Sequence, residues 1–148
     1  MNFPNKILSI EDLNINFPDE ESCIFYLEKL RWPGKVISPF DVNSTVYRCT
    51  NYKFKCKNTN KYFTVKSGTI FDSTKIFLFR WFLAIYLYVL SNRTISSLQL
   101  AKELHITQRT CSFIIRRLKL CFDDKMFKKL VDFDRVLLKV LEYRIVPE

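Results

Sequence analysis

Long apolar runs are scarce in this chain. The most hydrophobic stretch, residues 76–90 (IFLFRWFLAIYLYVL), is too short to span a bilayer comfortably and is broken by Arg80, so a buried helix is expected there. The opening MNFPNKILSI lacks a basic region followed by a sustained apolar run and a small-residue cleavage site, so no secretory leader is expected. Five cysteines, an odd number, are then expected to be reduced thiols in a cytoplasmic protein. Acidic residues are also short: Asp and Glu number 15 against 24 Lys and Arg, a net charge of +9. Such a surplus points to a polyanionic partner, most often nucleic acid, with an acidic membrane surface as the competitor. Apolar and aromatic residues are plentiful, at 48% and 16% of 148 residues, which excludes global disorder and suits one domain or two small ones sharing a core.

The charge is unevenly spread. Residues 1–30 are acidic, whereas Arg48, Lys53, Lys55, Lys57, Lys61, Lys66, Lys75 and Arg80 face Asp72 alone. A solvated basic surface explains scattered lysines more easily than it explains this polarity. Four segments follow: an N-terminal arm and helix (1–32), a small β module (33–74), a helical domain (75–122) and a tail (123–148). In the arm, Leu8, Ile10, Leu13 and Ile15 fit a strand or a packed arm. Pro18, Asp19, Glu20 and Glu21 mark a helix start, because carboxylates cap and favour the positive end of the helix dipole. That helix is expected to reach about Arg31, burying Cys23, Ile24, Leu27 and Leu30, and to stop at Pro33-Gly34.

The stretch 97–122 (SLQLAKELHITQRTCSFIIRRLKLCF) reads as two short helices joined by a tight turn. Ser96 or Ser97 caps the first and Thr107 the second, their hydroxyls accepting otherwise unpaired backbone N–H groups. Leu98, Ala101 and Leu104, with Leu100 beside them, recur at helical spacing; Cys111, Ile114, Ile115, Leu118 and Phe122 form the apolar stripe of the second helix. With that stripe inward, Gln108, Arg109, Ser112, Arg116 and Lys119 face out, and Arg117 adds to the charge of the same helix. Arginine reads guanine edges and glutamine adenine edges through paired hydrogen bonds, so this helix is a candidate major-groove reader. The plainer alternative is an amphipathic hairpin whose basic face is merely solvated. His105 occupies the turn where glycine is usual, and a positive φ there carries strain.

Between residues 35 and 71 the period shortens. Runs at 36–37, 46–49, 54–56 and 62–65 read as strands separated by turn clusters. A module this small commonly recruits zinc or leans on a neighbour. A zinc ribbon wants two Cys-x-x-Cys knuckles; here Ser38-Pro39-Phe40-Asp41 and Cys56-Lys57-Asn58-Thr59 stand in their places, with Cys49 nearby. A metal-free ribbon packed through Phe40, Tyr47, Phe54 and Phe63 is therefore expected ahead of a zinc site, and no cofactor is assigned. Lys53, Lys55, Lys57, Lys61 and Lys66 give it a basic surface suited to phosphates.

The segments FPDEESCIFYLEKLRWPGKVISPF, YRCTNYKFKCKNTNKYFTVKSGTIFDSTKIFLFRWFLAIYL and ISSLQLAKELHITQRTCSFIIRRLKLCF resemble the N-terminal region of ISXO-like insertion-sequence transposases. The resemblance covers about residues 17–122 and is most specific at 61–71, at Lys75 with Trp81, and at 96–118. It implies an α+β protein: a zinc-ribbon-like β module, here lacking most ligands, packed on a helix-turn-helix. It also implies that Gln108, Arg109, Ser112 and Arg116 grip duplex DNA at the ends of the element, and that a second copy or a full-length transposase is a further partner. In the family a DDE catalytic domain follows, whose acids hold two divalent metals for phosphoryl transfer. Such a domain needs on the order of a hundred residues or more. The acids after Phe122 (Asp123, Asp124, Asp132, Asp134, Glu142 and Glu148) are expected to be solvated partners of Lys125, Lys128, Lys129 and Lys139. No strand transfer is expected of this chain alone.

The tail carries Met126, Leu130, Phe133, Leu137, Val140 and Leu141 at helix-like spacing, while residues 135–146 are also rich enough in β-branched residues for a strand. Two functional classes stand beside each other: a non-catalytic DNA-binding protein, or a protein–protein module or transposase remnant whose aromatic surface serves a partner.

Overall fold

A computed structural model describes residues 7, 9–122 and 132–144. Among these are helices α1 (Ile10–Asn16), α2 (Glu20–Arg31), α3 (Leu78–Leu90), α4 (Ser97–Leu104), α5 (Gln108–Cys121) and α6 (Phe133–Glu142), with strands β1 (Val46–Arg48), β2 (Phe54–Cys56) and β3 (Tyr62–Phe63). The fold is α+β.

Capping sets the helix starts. Asp19 Oδ1 accepts the Ser22 N–H at 2.8 Å while the Ser22 hydroxyl lies back at the Asp19 backbone, a reciprocal capping box. The face α2 buries includes Cys23, Ile24, Leu27 and Leu30, as its spacing predicts, together with Tyr26. Ser9 likewise accepts from the Asp12 N–H at 3.1 Å, and this cap turns residues 10–16 into a helix where a strand or arm was expected. Leu13 is its one fully buried residue; Ile10 and Ile15 are exposed. Their two-residue spacing to neighbouring apolar residues mimics a strand without filling a core. Leu8 lies outside the described residues.

Helix α3 is the centre of the fold. It is apolar on nearly every side, and Leu78, Trp81, Phe82, Ala84 and Ile85 are fully enclosed. Its first turn lacks a side-chain cap of its own, and the Glu20 carboxylate of α2 accepts the Leu78 N–H at 3.0 Å instead. The Phe82 ring meets Phe17 at 5.0 Å, Tyr26 at 5.9 Å and Phe133 at 5.9 Å, joining α1, α2 and α6 around α3. No helix among the described residues is long and apolar enough to cross a membrane.

The sheet is antiparallel in the order β1-β2-β3. Its register places Tyr47 opposite Lys55 and Lys55 opposite Tyr62 on one face, and Phe54 opposite Phe63 on the other. Only the second face is covered: Phe54 and Phe63 stack at 5.5 Å and pack on Trp32. Tyr47 and Phe40, expected in that core, are exposed instead, Tyr47 because the two-residue alternation turns it outward. Val36-Ile37 forms no strand; the segment leads straight into the Ser38-Pro39 turn without a pairing partner.

Helix α6 settles residues 133–142 as helix rather than strand. Phe133, Val136, Leu137, Val140 and Leu141 are buried, and α6 packs on α2 and α5. Met126 and Leu130 lie outside the described residues, as do Asp123, Asp124, Lys125, Lys128, Lys129 and Glu148. Of the tail acids described, Asp132 caps α6, Asp134 accepts a hydrogen bond from the Tyr26 hydroxyl, and Glu142 pairs with Lys139 at 3.2 Å.

Candidate nucleic-acid interface

Helices α4 and α5 pack against each other around Leu100, Leu104, Cys111, Ile114 and Leu118, all buried. Ser96, not Ser97, caps α4, accepting the Gln99 N–H at 3.1 Å, and Thr107 caps α5. The inward stripe of α4 is Leu100 and Leu104 with half-buried Ala101; Leu98, expected on it, is exposed. Ile115 is only partly buried.

Between the helices His105 adopts the left-handed conformation, φ 56 and ψ 42. Arg80, the charge that interrupts the apolar α3 sequence, reaches across and donates to the carbonyls of Leu104 at 3.0 Å and His105 at 3.4 Å. A cation is thus fixed on the negative end of α4. Left-handed strain of about 1–2 kcal/mol, less the extra chain entropy of glycine, sets the expected gain of His105→Gly at about 0.5–1 kcal/mol. Urea unfolding of that variant measures it, and a lower midpoint would show the turn to be held by something else.

On α5, Arg109, Ser112, Arg116 and Lys119 recur at three- and four-residue spacing and so share one face. Arg109, Arg116 and Lys119 are exposed and Ser112 is half-buried; α6 does not cover them. Gln108, also exposed, donates to the Ser97 hydroxyl at 3.1 Å and ties the first turn of α5 to that of α4. Arg117 departs from this set. Its guanidinium donates to the carbonyls of Ile70 and Asp72 (3.0 Å for the latter) and lies over the Phe113 ring at 4.6 Å.

The basic residues of the β module divide in the same way. Lys53, Lys57 and Lys61 are exposed. Lys55 stands over Tyr62 at 5.6 Å and Lys61 over Phe40 at 5.2 Å, which orients both ammonium groups. Lys66 is half-buried and 3.9 Å from Glu20.

The two knuckle segments do come together. Asn58 donates to Asp41 at 2.8 Å through its side chain and to the Ser44 hydroxyl at 3.0 Å through its backbone. Cys56 is enclosed between them. Burial alone would raise its thiol, but hydrogen bonds from Ser38, Ser44 and Thr59 outweigh it and hold the group at about 6, below its ordinary 9.0. Ser44 escaped the sequence reading because it lies outside both x-x spacings. Among the described residues no group of three or more His, Cys, Asp or Glu could hold a metal ion. Cys23 and Cys121, by contrast, are pushed up to about 12 by burial.

A thiol whose folded value lies below its unfolded one adds stability above the unfolded value and loses it as pH falls through the folded one. The stability difference between the parent and Cys56→Ala should therefore widen as pH rises from about 6 to about 9. Ser38→Ala should shrink that widening by removing one donor. A difference that stays constant over this range would mean that Cys56 remains a neutral thiol.

No family model matches the chain, and no solved structure matches it. It is similar to an uncharacterized protein in transposable element ISH50 of Halobacterium salinarum, with 30% identity over 98 residues. The chain is related to a mobile-element protein. The match takes in 64% of this chain and 33% of the halobacterial protein, so this chain spans about a third of that relative's length.

Proposed function

We propose that this chain is a non-catalytic, cytoplasmic DNA-binding protein of a mobile element, which lays α5 in the major groove of duplex DNA. The observation that carries the reading is the row of exposed Arg109, Arg116 and Lys119 with half-buried Ser112 among them, standing on a helix whose opposite face is locked into a shared core. A recognition helix contacts bases with its N-terminal residues, where Gln108, Arg109 and Ser112 lie, while the preceding helix crosses the backbone. Arg116 and Lys119, further along, suit phosphates, as do Lys53, Lys55, Lys57 and Lys61 on the β module. The surplus of +9 supplies the attraction that brings duplex and protein together. Arg117 and Lys66 serve the fold in this reading. No catalytic step and no cofactor enter it.

Selection of bound fragments from random duplex DNA tests the proposal. Enrichment of a common short sequence is the expected result. An unenriched pool, with no shift of any duplex, would favour the second reading, a protein–protein module, to which the exposed Leu98 and Leu120 on the helix-turn-helix lend a surface.

A further inference from the structure

Away from the α5 reading face lies a cavity of about 850 Å³, within the range of small-molecule sites. The end of α2, the knuckle segment 37–40, the loop 67–73, α5 and Arg144 all contribute to its wall. Arg31, Arg117 and Arg144 line it against a single described acid, Asp72. Its Oδ2 accepts the Gly68 N–H at 2.9 Å, and its single charge offsets only part of that of the three arginines.

The guanidinium groups of Arg31 and Arg117 are pre-oriented. Arg31 Nη1 donates to the Val65 carbonyl at 2.7 Å and Arg117 Nη1 to the carbonyl of Asp72 at 3.0 Å. A guanidinium has five N–H donors, so the hydrogen bonds among described residues leave the Nε and Nη2 groups of both available. Burial, and after it the nearby charge of Arg144, lower the Arg31 guanidinium to about 10, with Asp72 opposing the shift. Trp32, Pro39 and Phe40 also line the cavity, with the Arg31 guanidinium over the Trp32 ring at 4.9 Å and half-exposed Phe40 at the rim.

We infer that this cavity binds a nucleoside phosphate, its phosphate held by the arginine trio and its base laid along the Pro39–Phe40 side. Forked guanidinium groups match phosphate oxygens in pairs, and aromatic walls take the flat face of a base. The same chemistry is offered by a free nucleotide and by the phosphorylated end of a DNA strand. This site makes no use of the duplex-reading face of α5.

The test is titration of the full chain with deoxyadenosine 5′-monophosphate, followed by calorimetry and by tryptophan fluorescence, to which Trp32 at the cavity and enclosed Trp81 both contribute. Saturable binding is expected, about tenfold or more tighter than that of inorganic phosphate or of deoxyadenosine alone. Arg144→Gln should weaken it about tenfold; because Arg144 lies beyond α6 and outside the apolar core, an unchanged melting curve will confirm that the variant folds. Phe40→Ala, at an exposed position, should weaken the nucleotide but leave inorganic phosphate unaffected. A 5′-phosphorylated trinucleotide that binds tighter than the mononucleotide assigns the site to a strand end; weaker binding assigns it to free nucleotide. No saturation by about 10 mM, or Arg144→Gln binding as well as the parent, would overturn the inference. The assay contains no duplex, so loss of the duplex reading would not disturb its outcome.

Discussion

Arg109→Ala should weaken binding to a selected duplex by about 1–3 kcal/mol and relax the preference at one base pair. The size follows from geometry. Arg109 occupies the second position of α5, exposed and free of the carbonyl contacts that fix Arg117. A guanidinium there can take two acceptors of one guanine edge, and a wrong base leaves both bonds unmade. Lys55→Ala and Lys61→Ala should behave differently. In the proposed complex each would contact a phosphate, so affinity should fall alike on every sequence while the preference stays. Competition between selected and scrambled duplexes separates the two behaviours. Equal losses on both for Arg109→Ala would remove it from the base-reading set.

The largest stability effect is expected at Phe82. Phe82→Ala should cost about 3–5 kcal/mol in chemical unfolding, the range for truncating an enclosed aromatic residue. Phe82 is fully buried, and its ring touches Phe17, Tyr26, Phe71 and Phe133. Those neighbours come from the α1 boundary, α2, the loop after the sheet and α6. One cavity would therefore loosen the N-terminal helices and the C-terminal helix together, and unfolding should remain a single transition. A loss below about 1 kcal/mol, or a separate early transition for α6, would show that the tail is held without α3.

The parts legible in the sequence were those in which local chemistry and packing agree. Pro18-Asp19 and the apolar spacing of α2 set both its start and its buried face. Thr107 and the Cys111–Ile114–Leu118 stripe did the same for α5. The misreadings have local causes. Ile10 follows Leu8 and Ile15 follows Leu13 at a strand-like two-residue spacing, yet the Ser9 cap made a helix and left both isoleucines exposed. Val36 and Ile37 have strand-forming side chains but no partner, and strands exist only in pairs. Two arginines escaped because their roles depend on contacts far along the chain: Arg80 on the carbonyls at 104–105, and Arg31 against Arg144. Arg117 could be assigned to the helix but not to its partners, since Ile70 lies 47 residues away. Spacing within α5 cannot reveal such a contact.

Phosphate contacts by the α5 face and the β-module lysines are the core of the proposed function, and salt tests these most directly. Affinity of the full chain for a selected duplex should fall about 10³-fold between about 50 and 200 mM salt, as expected for roughly six neutralised phosphates. Affinity that does not change over that range would contradict it.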